Sequence, residues 1–178
     1  WCQVLLVCCV AGLGACESLK SLQPIKAAPG EWALKGRLGY RSPEHNGSVV
    51  VTWHQKDDVF DLTFRSSLGL FVAHLAGPVR GPIELTQAGA EPVVLDNPEA
   101  ATARALGVGL PLTAVSWWIR GAPAPGRHAA LGETFADGFV QRGWTVTFGK
   151  YLNNRPGRIT LTRESWRFVL VIREWEGA

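Results

Sequence analysis

The side chains that could do chemistry in this chain are few and scattered. His45, His54, His74 and His128 share no spacing that would bring two of them to one metal ion. Asp57 and Asp58 form an adjacent carboxylate pair, but they follow Lys56 between two alternating runs, where a solvated turn is the favoured reading. Asn46-Gly47-Ser48 fits a glycosylation sequon. Asn-Gly is also a strong hairpin signal, and the turn explains the pair better. Nothing matches G-x-S-x-G, a P-loop or H-E-x-x-H. The expectation is a protein that is not an enzyme and uses no metal or cofactor. A net charge of +3 without a Lys/Arg-rich cluster gives no argument for nucleic acid.

Cysteine chemistry is more informative. Cys2, Cys8 and Cys9 lie in or beside the apolar run Val4–Ala15, which is too short for a bilayer span of about 20 residues. The run suits the apolar region of a secretory signal peptide, and small residues follow it. The chain contains no Met, so the charged region of such a signal is expected upstream of Trp1. Residues 1–15 are read as that signal. Leu13-Gly14-Ala15-Cys16 resembles the lipobox of bacterial lipoproteins, in which the cysteine is acylated and becomes the new N-terminus. Several acyl chains would anchor firmly, since each buried CH₂ adds about 0.8 kcal/mol. Glu17 follows Cys16 where lipoproteins kept at the inner membrane often carry Asp, which favours the outer membrane. Residues 16–31, with two prolines and no sustained period, read as the lipidated cysteine and a flexible tether.

Apolar residues carry the remaining clues. Hydrophobic content of 47% is ordinary for one globular domain, here residues 32–178, but eight tryptophans against two tyrosines are not. They either pack a core or line a roomy apolar cavity, and composition leaves both open. Leu68 stands in S-S-L-G at 66–69, where a loop tip would meet water. It either folds back into the core or is held out for a purpose.

The elements that must position these residues are mostly strands. Alternation marks strands at 32–41, 48–55, 59–65 and 70–76, with short ones at 83–86 and 92–95. The pattern then changes. Residues 96–107 open on Asp/Asn, place Pro98 at a first helical position and end on Gly107. Residues 110–121 again run from proline to glycine, giving two short helices. Strands resume at 131–135, 138–142, 144–151, 158–163 and 167–175. About eleven strands around one helical insertion predict a mainly β fold: a half-open antiparallel barrel with two to three short helices over its concave face.

Several motifs in order resemble the LolB family of outer-membrane lipoprotein receptors. They are W-x-x-x-G-R at 32–37, Trp53, S-L-G at 67–69, G-L-P-L-x-x-x-x-x-W-I-R-G at 109–121, G-W-x-V-x-F-x-x-Y at 143–151, Pro156 and Trp175. The resemblance covers about 32–175. It implies a LolA/LolB-like half-barrel whose cavity holds lipoprotein acyl chains, with Trp53, Trp118, Trp144, Phe64 and Ile119 as its lining. It also implies a loop of Leu68, Gly69 and Leu70 that inserts into the membrane. The family often reads N-P-L-G there. This chain lacks the proline, so a less restricted backbone is expected. The implied partners are a LolA-type periplasmic carrier, acylated lipoprotein cargo and the outer membrane, with the protein acting as a lipid-anchored monomer on the periplasmic face. A module for free lipid, or a structural lipoprotein with a filled core, are the readings from other classes.

Overall fold

The structure, a computed structural model, describes residues 30–133 and 137–177. The expected signal segment, Cys16 and nearly all of the expected tether lie outside the described residues. Eleven strands form one antiparallel sheet in the order β6-β5-β4-β3-β2-β1-β11-β10-β9-β8-β7. The long members are β1 (Glu31–Arg41), β2 (Asn46–Lys56), β3 (Val59–Arg65), β4 (Phe71–Pro78), β9 (Trp144–Leu152), β10 (Arg155–Arg163) and β11 (Trp166–Gly177). β5 (Ile83–Gln87), β6 (Val93–Leu95), β7 (Ala129–Ala130) and β8 (Phe139–Gln141) are short.

Pairing of β1 with β11 joins the two halves of the chain in the middle of the sheet. The free edges are therefore β6 and β7, and the segment connecting them carries both helices. The chain must cross from one edge to the other, and α1 (Pro98–Leu106) and α2 (Leu112–Trp118) make that crossing. α1 packs against β5, β6 and α2. The alternating side chains put Leu34, Val51, Trp53, Leu62, Phe64, Leu75, Val146, Ile159, Phe168 and Leu170 into one buried cluster with residues of both helices. Among the described residues, the strands, both helices and this core lie within 31–177, and the unit packs a core of its own.

Hairpin topology gives the sheet two distinct ends. At one end are the turn 42–45, the loop 66–70, the turn 142–143 and the turn 164–165. At the other are Glu31, the turn Asp57-Asp58 and the turn Asn153-Asn154. The first is called the loop end below.

Some predicted boundaries move. Asn46-Gly47 is not the first turn: both residues already pair in β2, opposite Arg41 and Tyr40. The turn is closed by Ser42 N–H to His45 O at 2.7 Å and by His45 N–H to Ser42 Oγ at 3.0 Å. Gly47 is needed because the Tyr40 ring lies across it; a Cβ there would stand 2.6 Å from the Tyr40 hydroxyl. The strand expected at 131–135 is instead the two-residue β7 at Ala129–Ala130, and residues 131–133 form a bend. β10 starts at Arg155, not 158, because Asn153 and Asn154 both take positive φ (48° and 63°) and make a tight hairpin turn.

Candidate functional site

A small apolar space lies between the helices and the inner face of the sheet. Its walls include Val51, Trp53, Leu62 and Phe64 from β2 and β3, Ile159 and Phe168 from β10 and β11, and Leu106, Leu112, Val115 and Ile119 from the helical segment. None of its lining residues is charged, and Thr102 is the one polar residue among them. That hydroxyl is fully buried and satisfied: Oγ1 accepts from Leu110 N–H at 2.8 Å and lies 3.1 Å from Pro98 O. It therefore fastens the link between the helices to α1 without leaving a polar atom facing the cavity.

The volume is about 50 Å³. A single water needs roughly 10–15 Å³ on this measure, and drug-sized ligand sites run to roughly 300–1,000 Å³. The space has the chemistry of an acyl-chain site but is nearly shut, so admitting a chain requires α1 or α2 to move from the sheet. A second concavity of about 240 Å³, lined by Tyr40, His45, Val49, Phe64, Ala73 and Leu106 among others, lies at the loop end. Phe64 and Leu106 border both spaces. The concavity at the loop end therefore abuts the apolar interior.

The helices are held by local sequence. Asn97 caps α1, its Oδ1 accepting from Ala100 N–H at 2.9 Å, and Gly107 closes the helix in the left-handed region. α2 has no side-chain cap. Its far side is tied instead by Gln141, which is buried in β8. Gln141 Oε1 accepts from Trp118 Nε1–H at 2.8 Å and Ala124 N–H at 2.9 Å, and its Nε2 donates to Ala124 O at 2.7 Å. No motif pointed to Gln141, because its role needs β8 and α2 to be brought together.

Of the five residues expected to line the acyl-chain cavity, Trp53, Phe64 and Ile119 border the apolar space. Trp118 and Trp144 do not. Trp118 is turned toward Gln141 and packs edge-on to Phe139. Trp144 is fully buried against Phe168, with the Arg163 guanidinium 4.5 Å over its ring. Both serve the packing of the β8–β11 side. The sequence reading missed Leu106, Leu112 and Val115, which line the cavity from the helical segment.

Away from the loop end, aromatic rings pack together on the central strands. Trp32 contacts Trp53 and Trp175, with ring centroids at 5.6 Å and 5.8 Å. Arg120 lies over Trp32 and Trp117. Burial, and then the nearby Arg155 charge, lower its proton affinity from the ordinary guanidinium value.

The loop between β3 and β4 holds Leu68 at 87% exposure and Leu70 at 67%. Neither folds back. The loop is nonetheless braced: Gly69 N–H donates to Ser66 O at 2.9 Å, and Ser66 N–H to Leu70 O at 2.8 Å. Ser66 Oγ also accepts from the N–H groups of Leu68 and Leu70, and Arg65 donates to Gly69 O at 3.3 Å. These bonds restrict the loop where the sequence has no proline. Gly69 sits at φ 82° with open space around it.

Comparison with known proteins agrees on one family. The family model described as Outer membrane lipoprotein LolB matches residues 30–175. The outer-membrane lipoprotein LolB of Stutzerimonas stutzeri is 30% identical, with 98% of this chain and 92% of that protein aligned. That of Marinobacter nauticus is 34% identical over 82% of this chain and 75% of its own length. Among solved structures, a LolA superfamily protein from Nitrosomonas europaea aligns with a TM-score of 0.48 and 9% identity, covering 83% of this chain and 86% of that one.

Proposed function

Because the chain belongs to the LolB family of outer-membrane lipoproteins, we propose that it is the receptor that takes acylated lipoproteins from a LolA-type periplasmic carrier and inserts them into the outer membrane. It acts as a monomer, held to the periplasmic face by lipid on Cys16, and makes or breaks no covalent bond in its cargo. One observation carries this reading: an uncharged apolar space under α1 and α2 abuts a concavity at the end where Leu68 and Leu70 stand out in water on a braced loop.

The energetics follow from apolar burial. Each CH₂ removed from water is worth about 0.8 kcal/mol, so acyl chains stay with whichever site covers them best. The receptor needs only a better-fitting cavity than the carrier, since about 1.4 kcal/mol shifts the equilibrium tenfold. The bilayer is a better sink again. Leu68, moved from water into hydrocarbon, contributes about 2 kcal/mol and brings the cavity mouth to the membrane. Trp53, Phe64 and Ile119 meet the chains; Trp118 and Trp144 support the wall behind them.

The test mixes residues 30–178 with a LolA-type carrier loaded with labelled lipoprotein and follows the label. The expected result is transfer to this protein and then to vesicles. With Leu68→Glu, transfer from the carrier continues and insertion stops. No transfer from a competent carrier to the folded protein would sink the receptor reading and favour a binder of free lipid.

A further inference from the structure

The outer face of the sheet is electrically divided. In its half away from the loop end, strand positions carry Asp61, Glu84, Glu174 and Glu176, and the lysines of β1 and β2 are paired: Lys35 Nζ lies 3.3 Å from Glu174 and 3.6 Å from Glu176, and Lys56 Nζ 3.8 Å from Glu31, while Arg173 on β11 is exposed without a carboxylate partner among the described residues. From the middle of the sheet to the loop end the exposed charges on the strands are Arg37 and Arg158 at mid-sheet and Arg41, Arg65 and Arg167 nearer the loops. None of the five has a carboxylate partner among the described residues. Arg37 and Arg65 donate instead to neutral acceptors, Ser48 Oγ and Gly69 O. Glu44 and Glu164 lie in the turns beyond them.

Register makes this an array rather than a scatter. Arg65 pairs with Val50, Val50 with Arg37, Arg37 with Val171 and Val171 with Arg158. Neighbouring strands lie about 5 Å apart, so a guanidinium recurs about every 10 Å along one row. Further toward the turns, Arg41 and Arg167 are direct cross-strand partners. Like charges placed opposite each other destabilise a sheet, and here no carboxylate offsets them. The row begins at Arg65, whose guanidinium holds the loop that carries Leu68 and Leu70.

We propose that this arginine face docks on the phosphates of lipid headgroups, so that the protein meets the bilayer through an electrostatic rim around its apolar loop. The inference rests on the reading that the loop end faces the membrane. Guanidinium forks match phosphate oxygens bidentately. Basic side chains near an anionic surface each strengthen association about fivefold. The rim supplies attraction and orientation before any leucine is buried, and salt weakens it.

The experiment sediments residues 30–178 with phosphatidylcholine vesicles, with and without phosphatidylglycerol, in the absence of carrier and cargo. Binding is expected to be at least tenfold stronger with phosphatidylglycerol and to fall with salt. Arg37→Ala, Arg65→Ala and Arg158→Ala together should lower it on the order of a hundredfold, whereas Arg80→Ala, at the opposite end, should change it less than twofold. Arg167→Glu should weaken binding while raising the thermal midpoint, because it gives Arg41 a partner; misfolding cannot produce that combination. Equal binding to both vesicles, or a triple variant that binds like the parent, overturns the proposal. So does a triple variant that loses only transfer from the carrier, which would assign the face to an acidic protein. Since bare vesicles are used, a failure here leaves the receptor reading standing. Intact vesicle binding without cargo transfer counts against that reading alone.

Discussion

Single side chains fix the two parts of this protein that differ most from their surroundings. Leu68 is exposed because Ser66 gathers the loop's N–H groups around its hydroxyl and leaves the leucine no inward path. Gln141 works in the opposite sense, burying its polar atoms to hold the helical segment against β8. Gln141→Leu would strip Trp118 Nε1–H and Ala124 N–H of their acceptor. Each buried donor left unpaired costs about 1–3 kcal/mol, so a loss of about 3 kcal/mol in urea unfolding is expected. A loss under 1 kcal/mol would mean water replaces the amide. Ser66→Ala acts in an exposed loop and should cost less, about 1 kcal/mol. Its clearer effect should be slower insertion of cargo at unchanged cargo binding, measured with labelled lipoprotein and vesicles.

Elements decide whether the cavity is a site. α1 carries Asn97 and Gly107 as caps, and the side chains it buries are small, Pro98, Ala101 and Thr102. Leu106, in its last turn, borders both the mouth and the interior. Leu106→Glu would place a charge where acyl chains must pass, at a cost of a few kcal/mol when covered. A fluorescent fatty acid should bind at least tenfold more weakly, with the circular dichroism spectrum unchanged. Unaltered binding would mean that chains enter by another route. β1, which follows the expected tether, starts at the end opposite the loop.

The whole molecule is a sheet whose open side is bridged by its own chain. Such a half-barrel has room for an acyl chain only when its helices stand off, and its cavity is about 50 Å³. Ligand entry must then wait for a conformational step. The observed association rate of a fatty-acid probe should level off as probe concentration rises, in stopped-flow fluorescence. A rate that stays linear throughout would indicate an open cavity in solution. Divided charge belongs to this scale too, since the five arginines come from four strands far apart in sequence.

Much of this was legible in the residues alone. Alternation with period two marks most strands because one face of each must be buried and the other wet. Pro98 and Gly107 bound α1 because helix ends need those backbone properties wherever they occur. Leu68 was conspicuous because a leucine between serines and glycine has no local reason to be there. The sequence also exposed eight tryptophans but could not sort them. Trp53 lines the cavity and Trp144 is core, yet both are apolar residues on inward-facing strand positions. Their roles diverge only through which helix or strand lies opposite, a matter of long-range packing. The same limit hid Gln141, the closure of the cavity and the arginine row. Each depends on residues distant in sequence, brought together by strand register, and register is set only when the whole sheet is assembled.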